Sequence, residues 1–176
     1  MFRDVGMKVA IIEADEHWQS GNFLSKRILD LTFHKDIGGT ICFNFDPEYP
    51  TYSRNDGHIN KLIGLSDGWH HHKNSARLGW RWREYEEMIE IVSYCYVGGV
   101  RTIKHIMFCS PYKTYPFRII ITKKCYKISF GHITVLTKRK SNWGFVRAVL
   151  PFYFGGKPTA FRRNVFNYFY FYNHEK

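Results

Sequence analysis

Short apolar runs separated by turn-forming residues set the rhythm of this chain. MKVAII (7–12), RILDLTF (27–33), GTICFNF (39–45) and NKLIGL (60–65) are the length of strands rather than of core helices. In MIEIVSYCYV (88–97), strict alternation puts Ile89, Ile91, Ser93, Cys95 and Val97 on one face and Met88, Glu90, Val92, Tyr94 and Tyr96 on the other. Gly98 and Gly99 then predict a tight reversal into VRTIKHIMFC (100–109), because a two-residue hairpin loop needs positive φ. YPFRIIIT (115–122), Lys123-Lys124 and CYKISF (125–130) read as a second hairpin, and HITVLT, GFVRAVLPFYF and NVFNYFYFY complete the set. The pattern predicts roughly eleven to thirteen strands, spaced as in a sandwich or barrel. Helix is confined to a short turn at DEHWQSGNF (15–23) or WREYEEM (82–88). With no repeat, linker or low-complexity segment in view, residues 1–176 are expected to form one β-sandwich domain.

Composition agrees with that rhythm and adds a charge asymmetry. Aromatic residues make up 18% of the 176, which suits wide side chains packed on pleated surfaces. The net charge is +11, unevenly spread. Residues 1–88 hold 11 Lys+Arg and 13 Asp+Glu; residues 89–176 hold 15 and 2, the two acids being Glu90 and Glu175. A surface shaped for solubility alone mixes its signs, so this asymmetry points to a polyanionic partner. Cys42, Cys95, Cys109 and Cys125 contain no C-x-x-C pair and are expected as free thiols in a reducing compartment. No signal-like or ~18-residue apolar stretch occurs, so the expected location is cytoplasmic, in a bacterial or phage-infected cell, with no membrane span.

The closing block, VLPFYFGGKPTAFRRNVFNYFYFY (149–172), carries a family resemblance. PFYFGGKPTA (151–160) resembles the turn before the last strand of concanavalin A-like and laminin-G-like jelly-roll sandwiches, a group that includes several polysaccharide lyases. KLIGLSDG (61–68), SARLGWRW (75–82) and EIVSYCYVGG (90–99) resemble the middle strands of small proteins of gut bacteria and their phages. The resemblance implies an all-β, jelly-roll type β-sandwich of two antiparallel sheets, with at most one or two short helices. It carries over no function. The lyases' Arg-rich, Gln-x-His and Tyr-x-Lys-x-Gly-x-Tyr strands are missing, YKTYPFR (112–118) being a faint echo of the last, which weakens a lyase reading.

The densest chemistry lies in GLSDGWHHHKNSARLGWRWREYEE (64–87). His70 and His72 share a side of the chain, but a metal needs three or four converging ligands, and nothing in the sequence brings Asp67, His58, His17 or His105 to them. No metal or cofactor is therefore expected. The loop aspartates Asp36, Asp46, Asp56 and Asp67 lack the spacing of a calcium loop. Alternation after Asn74 places Arg77, Arg81 and Arg83 opposite Trp80 and Trp82, giving a row of guanidinium groups suited to successive phosphates or carboxylates. Tyr94 and Tyr96 would supply stacking platforms, and TKRKSNWG (137–144) reads as a basic hairpin tip carrying Lys138, Arg139 and Lys140. The expected ligand site is thus His70, His72, Lys73, Arg77, Arg81, Arg83, Tyr94, Tyr96, Lys138, Arg139 and Lys140. In the alternative, Arg81 and Arg83 pair with Glu84, Glu86 and Glu87, and the tryptophans are core.

These observations rank a non-catalytic module for an anionic ligand first, nucleic acid or nucleotide phosphates ahead of acidic glycan, as in a phage-encoded sequestering protein. A virion-type assembly protein with a basic face, with oligomers possible, is the first alternative. The second is a metal-independent phosphodiesterase or ribonuclease using His70, His72 and Lys73, since two imidazoles and a cation suffice for phosphodiester cleavage.

Overall fold

A computed structural model describes the backbone of residues 2–13, 31–32, 35–45, 59–83, 86–140, 147–150, 153 and 163–173, and side chains within 35–44, 59–83, 86–140, 148–150 and 153. Twelve strands occur among them: β1 (Phe2–Glu13), β2 (Leu31–Thr32), β3 (Asp36–Phe45), β4 (Asn60–Ser66), β5 (Asn74–Arg83), β6 (Met88–Val97), β7 (Val100–Cys109), β8 (Thr114–Ile121), β9 (Cys125–Phe130), β10 (Ile133–Lys138), β11 (Arg147–Leu150) and β12 (Arg163–Asn173). They form two six-stranded antiparallel sheets, ordered β1-β12-β3-β8-β9-β10 and β2-β11-β4-β5-β6-β7. β4–β7 and β8–β10 run consecutively within one sheet each, while β1, β2, β3 and β4 at one end of the chain and β10, β11 and β12 at the other alternate between sheets, a jelly-roll-like arrangement. The described residues contain no helix. β5 runs on to Arg83 and a turn at Glu86-Glu87 follows, while the other candidate helix, 15–23, lies outside the described residues.

Alternation decides which face is buried. On β9, Tyr126, Ile128 and Phe130 are fully buried, and Lys127 between them is exposed. On β6, Ile89, Ile91, Ser93 and Cys95 turn inward, opposite Trp82, Trp80, Leu78 and Ala76 of β5. Trp80 is 2% exposed and meets Phe43 of the other sheet edge-on at 5.8 Å, so the two sheets interlock through their largest side chains. The β6–β7 reversal uses Gly98 and Gly99 at φ 61° and 82°, the left-handed region a two-residue hairpin requires. The four cysteines are free. Burial raises the Cys95 thiol and pushes Cys109 up to about 12, so both remain protonated and unreactive.

One buried charge pair ties the sheets together and corrects an expectation. Arg139 follows β10, where the sequence predicts an exposed basic tip, yet its side chain is only 5% exposed. Its Nη2 donates to Asp67 Oδ1 at 2.7 Å, its Nε donates to Asp67 Oδ2, and its Nη1 donates to the Thr122 carbonyl at 3.0 Å. The Tyr126 hydroxyl donates to Asp67 Oδ2 at 3.0 Å. Arg139 thus neutralises a buried carboxylate and is withdrawn from any surface ligand. The rest of the expected tip, residues 141–144, lies outside the described residues.

Candidate functional site

The outward face of the β4-β5-β6-β7 half-sheet gathers chemistry that is distant in sequence. Cross-strand register sets Lys61 opposite Gly79, Gly64 opposite Arg77, Arg77 opposite Tyr94, and Tyr96 opposite Arg101. Lys61, Arg77, Tyr94, Tyr96 and Arg101 therefore occupy neighbouring positions on one surface. Gly64 makes room for Arg77: a Cβ there would lie 2.4 Å from Arg77 Cγ and 2.4 Å from the Ala76 carbonyl oxygen. Gly79 does the same for Ile59, whose Cγ2 would be 2.6 Å from an added Cβ. The strand glycines thus mark close side-chain approach rather than turns.

Cations crowd round the tyrosines. Lys61 Nζ stands 5.1 Å from the Tyr94 ring centroid and 5.2 Å from that of Tyr153, whose backbone bridges to Lys61. Burial is the main influence on Arg77, drawing it down to about 10 against the opposing effect of Tyr94 and Tyr153. Lys61 is lowered by burial and by the positive charges of Arg77 and Arg101. The Tyr94 and Tyr96 hydroxyls are 3.5 Å apart and are pushed in opposite directions. For Tyr94, burial works upward, but hydrogen bonds with Tyr96 and Arg101 and the charges of Lys61 and Arg101 outweigh it and leave the phenol lowered. Tyr96 is raised, first by its hydrogen bond with Tyr94 and then by burial.

Farther along the same face, Glu90 organises a second cluster. Its Oε2 lies 2.6 Å from Arg81 Nε and 3.5 Å from Arg83 Nε, and its Oε1 lies 3.0 Å from His105 Nδ1. Burial pushes this carboxyl up; hydrogen bonds from Arg81 and His105 and the two arginine charges overcome that and lower it. The expected guanidinium row is therefore divided. Arg77 belongs to the tyrosine cluster, whereas Arg81 and Arg83 share the single carboxylate of Glu90 on the neighbouring strand. Of the acids expected to neutralise them, Glu86 reaches Arg83 only at 3.9 Å; Glu87 is exposed, and Glu84 lies outside the described residues.

The histidine run forms the turn between β4 and β5. Lys73 N donates to the His70 carbonyl at 2.8 Å and Gly99 N to the Lys73 carbonyl at 2.8 Å, fastening this turn to the β6–β7 reversal. His70, His72 and Lys73 are exposed, and the His72 ring lies 5.3 Å from Tyr96. Among the described residues no three His, Cys, Asp or Glu side chains could hold a metal. Asp67 is bound to Arg139 and His105 to Glu90; His17 and His58 lie outside the described residues, as do Asp46 and Asp56. Asp36 pairs with Arg118, Nε to Oδ1 3.0 Å. Lys140 approaches the β6–β7 turn, its Cδ 3.5 Å from a Cβ position on Gly98. Lys138 is exposed on β10, the edge strand of the other sheet.

Sequence reasoning missed Lys61, Arg101 and Tyr153. Arg101 was legible: a two-residue turn at Gly98-Gly99 forces Val97 opposite Val100, hence Tyr96 opposite Arg101. Lys61 depends on a register shift in β4 between Lys61 and Gly64, and Tyr153 on an isolated bridge, neither of which has a local signature.

No protein-family model matches the sequence, and no curated protein matches it. Among solved structures, the chain is similar to alginate lyase AlyC3, with 12% identity over 92% of this chain and 73% of that one at a TM-score of 0.60. It is also similar to the catalytic domain of an endo-1,3-β-glucanase (laminarinase) from Thermotoga petrophila, with 11% identity over 98% and 79% at 0.54. To LamAcat from Zobellia galactanivorans the values are 8%, 81% and 65% at 0.50, so this chain spans less than two thirds of that protein. These neighbours overturn the ranking drawn from charge. The named activities in this company degrade glycans, and the expected non-catalytic nucleic-acid or nucleotide module falls, together with its virion-assembly and ribonuclease alternatives. At such identities the likeness speaks for architecture, and that much is plain: the chain is a concanavalin A-like jelly-roll β-sandwich.

Proposed function

We propose that this protein is carbohydrate-active and takes an acidic polysaccharide, one bearing uronate carboxylates, on the outward face of β4-β5-β6-β7. The observation that carries this reading is the Tyr94–Tyr96 hydroxyl pair at 3.5 Å, set among Lys61, Arg77 and Arg101. Cations in a partly dehydrated setting favour a carboxylate-bearing sugar over a neutral one. The acid on this half-sheet, Glu90, is four residues along β6 from Tyr94, about 13 Å at strand spacing, and is already held by Arg81, Arg83 and His105.

The chemistry that fits is β-elimination. Hydrolysis by paired carboxylates needs two acids flanking one bond, whereas the described part of this face offers two phenols with divergent acidities. Such divergence assigns base and acid. Tyr94, lowered against burial by its hydrogen bonds with Tyr96 and Arg101 and by the charge of Lys61, takes the proton from the sugar carbon bearing the carboxylate, whose negative charge the neighbouring cations stabilise. The adjacent carbon–oxygen bond breaks as the carbon–carbon double bond forms. Tyr96, which keeps its proton, gives it to the departing oxygen and regains one from Tyr94, so the protons balance.

The test is to incubate the protein with alginate, polygalacturonate and neutral laminarin and to follow ultraviolet absorbance of the unsaturated product. Cleavage of a uronate polymer is expected, with Tyr94→Phe lowering the rate by roughly a hundredfold or more while binding persists. Hydrolysis of laminarin with no affinity for either uronate polymer would overturn the reading.

A further inference from the structure

Beyond the Tyr94–Tyr96 pair, the aromatic surface continues to the rim of the sandwich. Ring centroids step from Tyr94 to Tyr96 at 5.8 Å, from Tyr96 to His72 at 5.3 Å, and from His72 to His71 at 4.1 Å. Exposure rises from buried Tyr94 through half-buried Tyr96 to exposed His72, and His71 beyond it is half-buried. The rings come from two separate segments, β6 and the 67–73 turn, which hydrogen bonds fasten together. Besides the Gly99–Lys73 bond, Gly98 N donates to Asn74 Oδ1 at 2.9 Å and Asp67 N to the Asn74 carbonyl at 2.9 Å. Positive charge follows the same path. Arg101 is opposite Tyr96, Lys73 lies in the histidine turn, and the Lys140 stem reaches the Gly98 position.

We propose that this ladder extends the proton-transfer pair into a binding track that receives successive units of an anionic oligosaccharide. The ligand would then be a chain of charged sugars gripped over several units, with its inner end at Arg77 and Tyr94 and its outer end at His72 and Lys73. Tyr96 and His72, set edge-to-face, offer apolar ring surface to the sugar units, and the flanking cations meet their charges. A track fastened before the ligand arrives loses little entropy on binding. This inference rests on the acidic-polysaccharide reading and adds a prediction of its own, that affinity depends on chain length.

The experiment is calorimetric titration of uronate oligosaccharides of increasing length, into the wild-type protein and into Tyr94→Phe, where chains stay intact. Affinity should rise with length and then level off. His72→Ala, and separately Lys73→Ala with Lys140→Ala, should weaken the longest chains by about fivefold to tenfold and the shortest by less than about twofold. Lys127→Ala, exposed on β9 of the other sheet, should leave every length unchanged. If short chains bind and longer ones gain nothing, or if His72→Ala weakens all lengths equally, the track is refuted while the acidic-glycan reading stands. If no length binds, both fall.

Discussion

Removing the Arg139 guanidinium separates a structural role from a surface one. The side chains of Arg139 and Asp67 are 5% and 3% exposed, and Arg139 supplies Asp67 with two hydrogen bonds and the Thr122 carbonyl with a third. Arg139→Met keeps most of the volume and leaves a buried carboxylate with the Tyr126 hydroxyl still donating to it. Breaking one side of such a pair costs about 3–5 kcal/mol. At about 2–4 °C per kcal/mol for a chain of this size, the melting temperature should fall by roughly 6–20 °C. Asp67→Asn should cost a comparable amount by stranding the guanidinium. The double variant should recover part of the loss, because the second substitution removes the charge the first left uncompensated. Urea unfolding of the four proteins completes the cycle, and a coupling energy of about 1–3 kcal/mol is expected. Single-variant losses below about 1 kcal/mol, or strict additivity, would show that Arg139 faces solvent and would return it to the surface.

Two further outcomes test the face itself. Gly64→Ala should cost about 1–3 kcal/mol by overpacking and also weaken acidic-glycan binding, because the new methyl must displace Arg77 or the Ala76 carbonyl; thermal melts and titration read the two effects. Glu90→Gln should free Arg81 and Arg83, raising affinity for the acidic chain and steepening its salt dependence. The Glu90 carboxyl is lowered from 4.5 in the folded protein, so its stabilisation is complete above the unfolded value and is lost as pH falls through the folded one. Melting curves taken downward from neutral pH should therefore show the wild-type advantage over Glu90→Gln shrinking on the acid side; an advantage that grew there would contradict the ion-pair assignment.

Alternation by itself determined much of this protein. The inward set Ile89, Ile91, Ser93, Cys95 and Val97, and the outward set Glu90, Val92, Tyr94 and Tyr96, follow from the period of a strand, which β6 keeps unbroken against β5. The glycine pair at 98–99 determined the β6–β7 register by its φ requirement, and with it the Tyr96–Arg101 juxtaposition. What charge density means was left to the fold. Arg139 sits among Lys138 and Lys140 in sequence, yet the path of β10 carries it to Asp67, seventy-two residues away in the chain. Arg77, Arg81 and Arg83 are alike on paper; the neighbouring strand gives Glu90 to two of them and Tyr94 to the third. Lys61 reaches the same tyrosine through a register shift in β4 that leaves no local mark. A sequence fixes which side of a strand a charge occupies, but its partner is chosen by strand order and register, which depend on the whole chain at once.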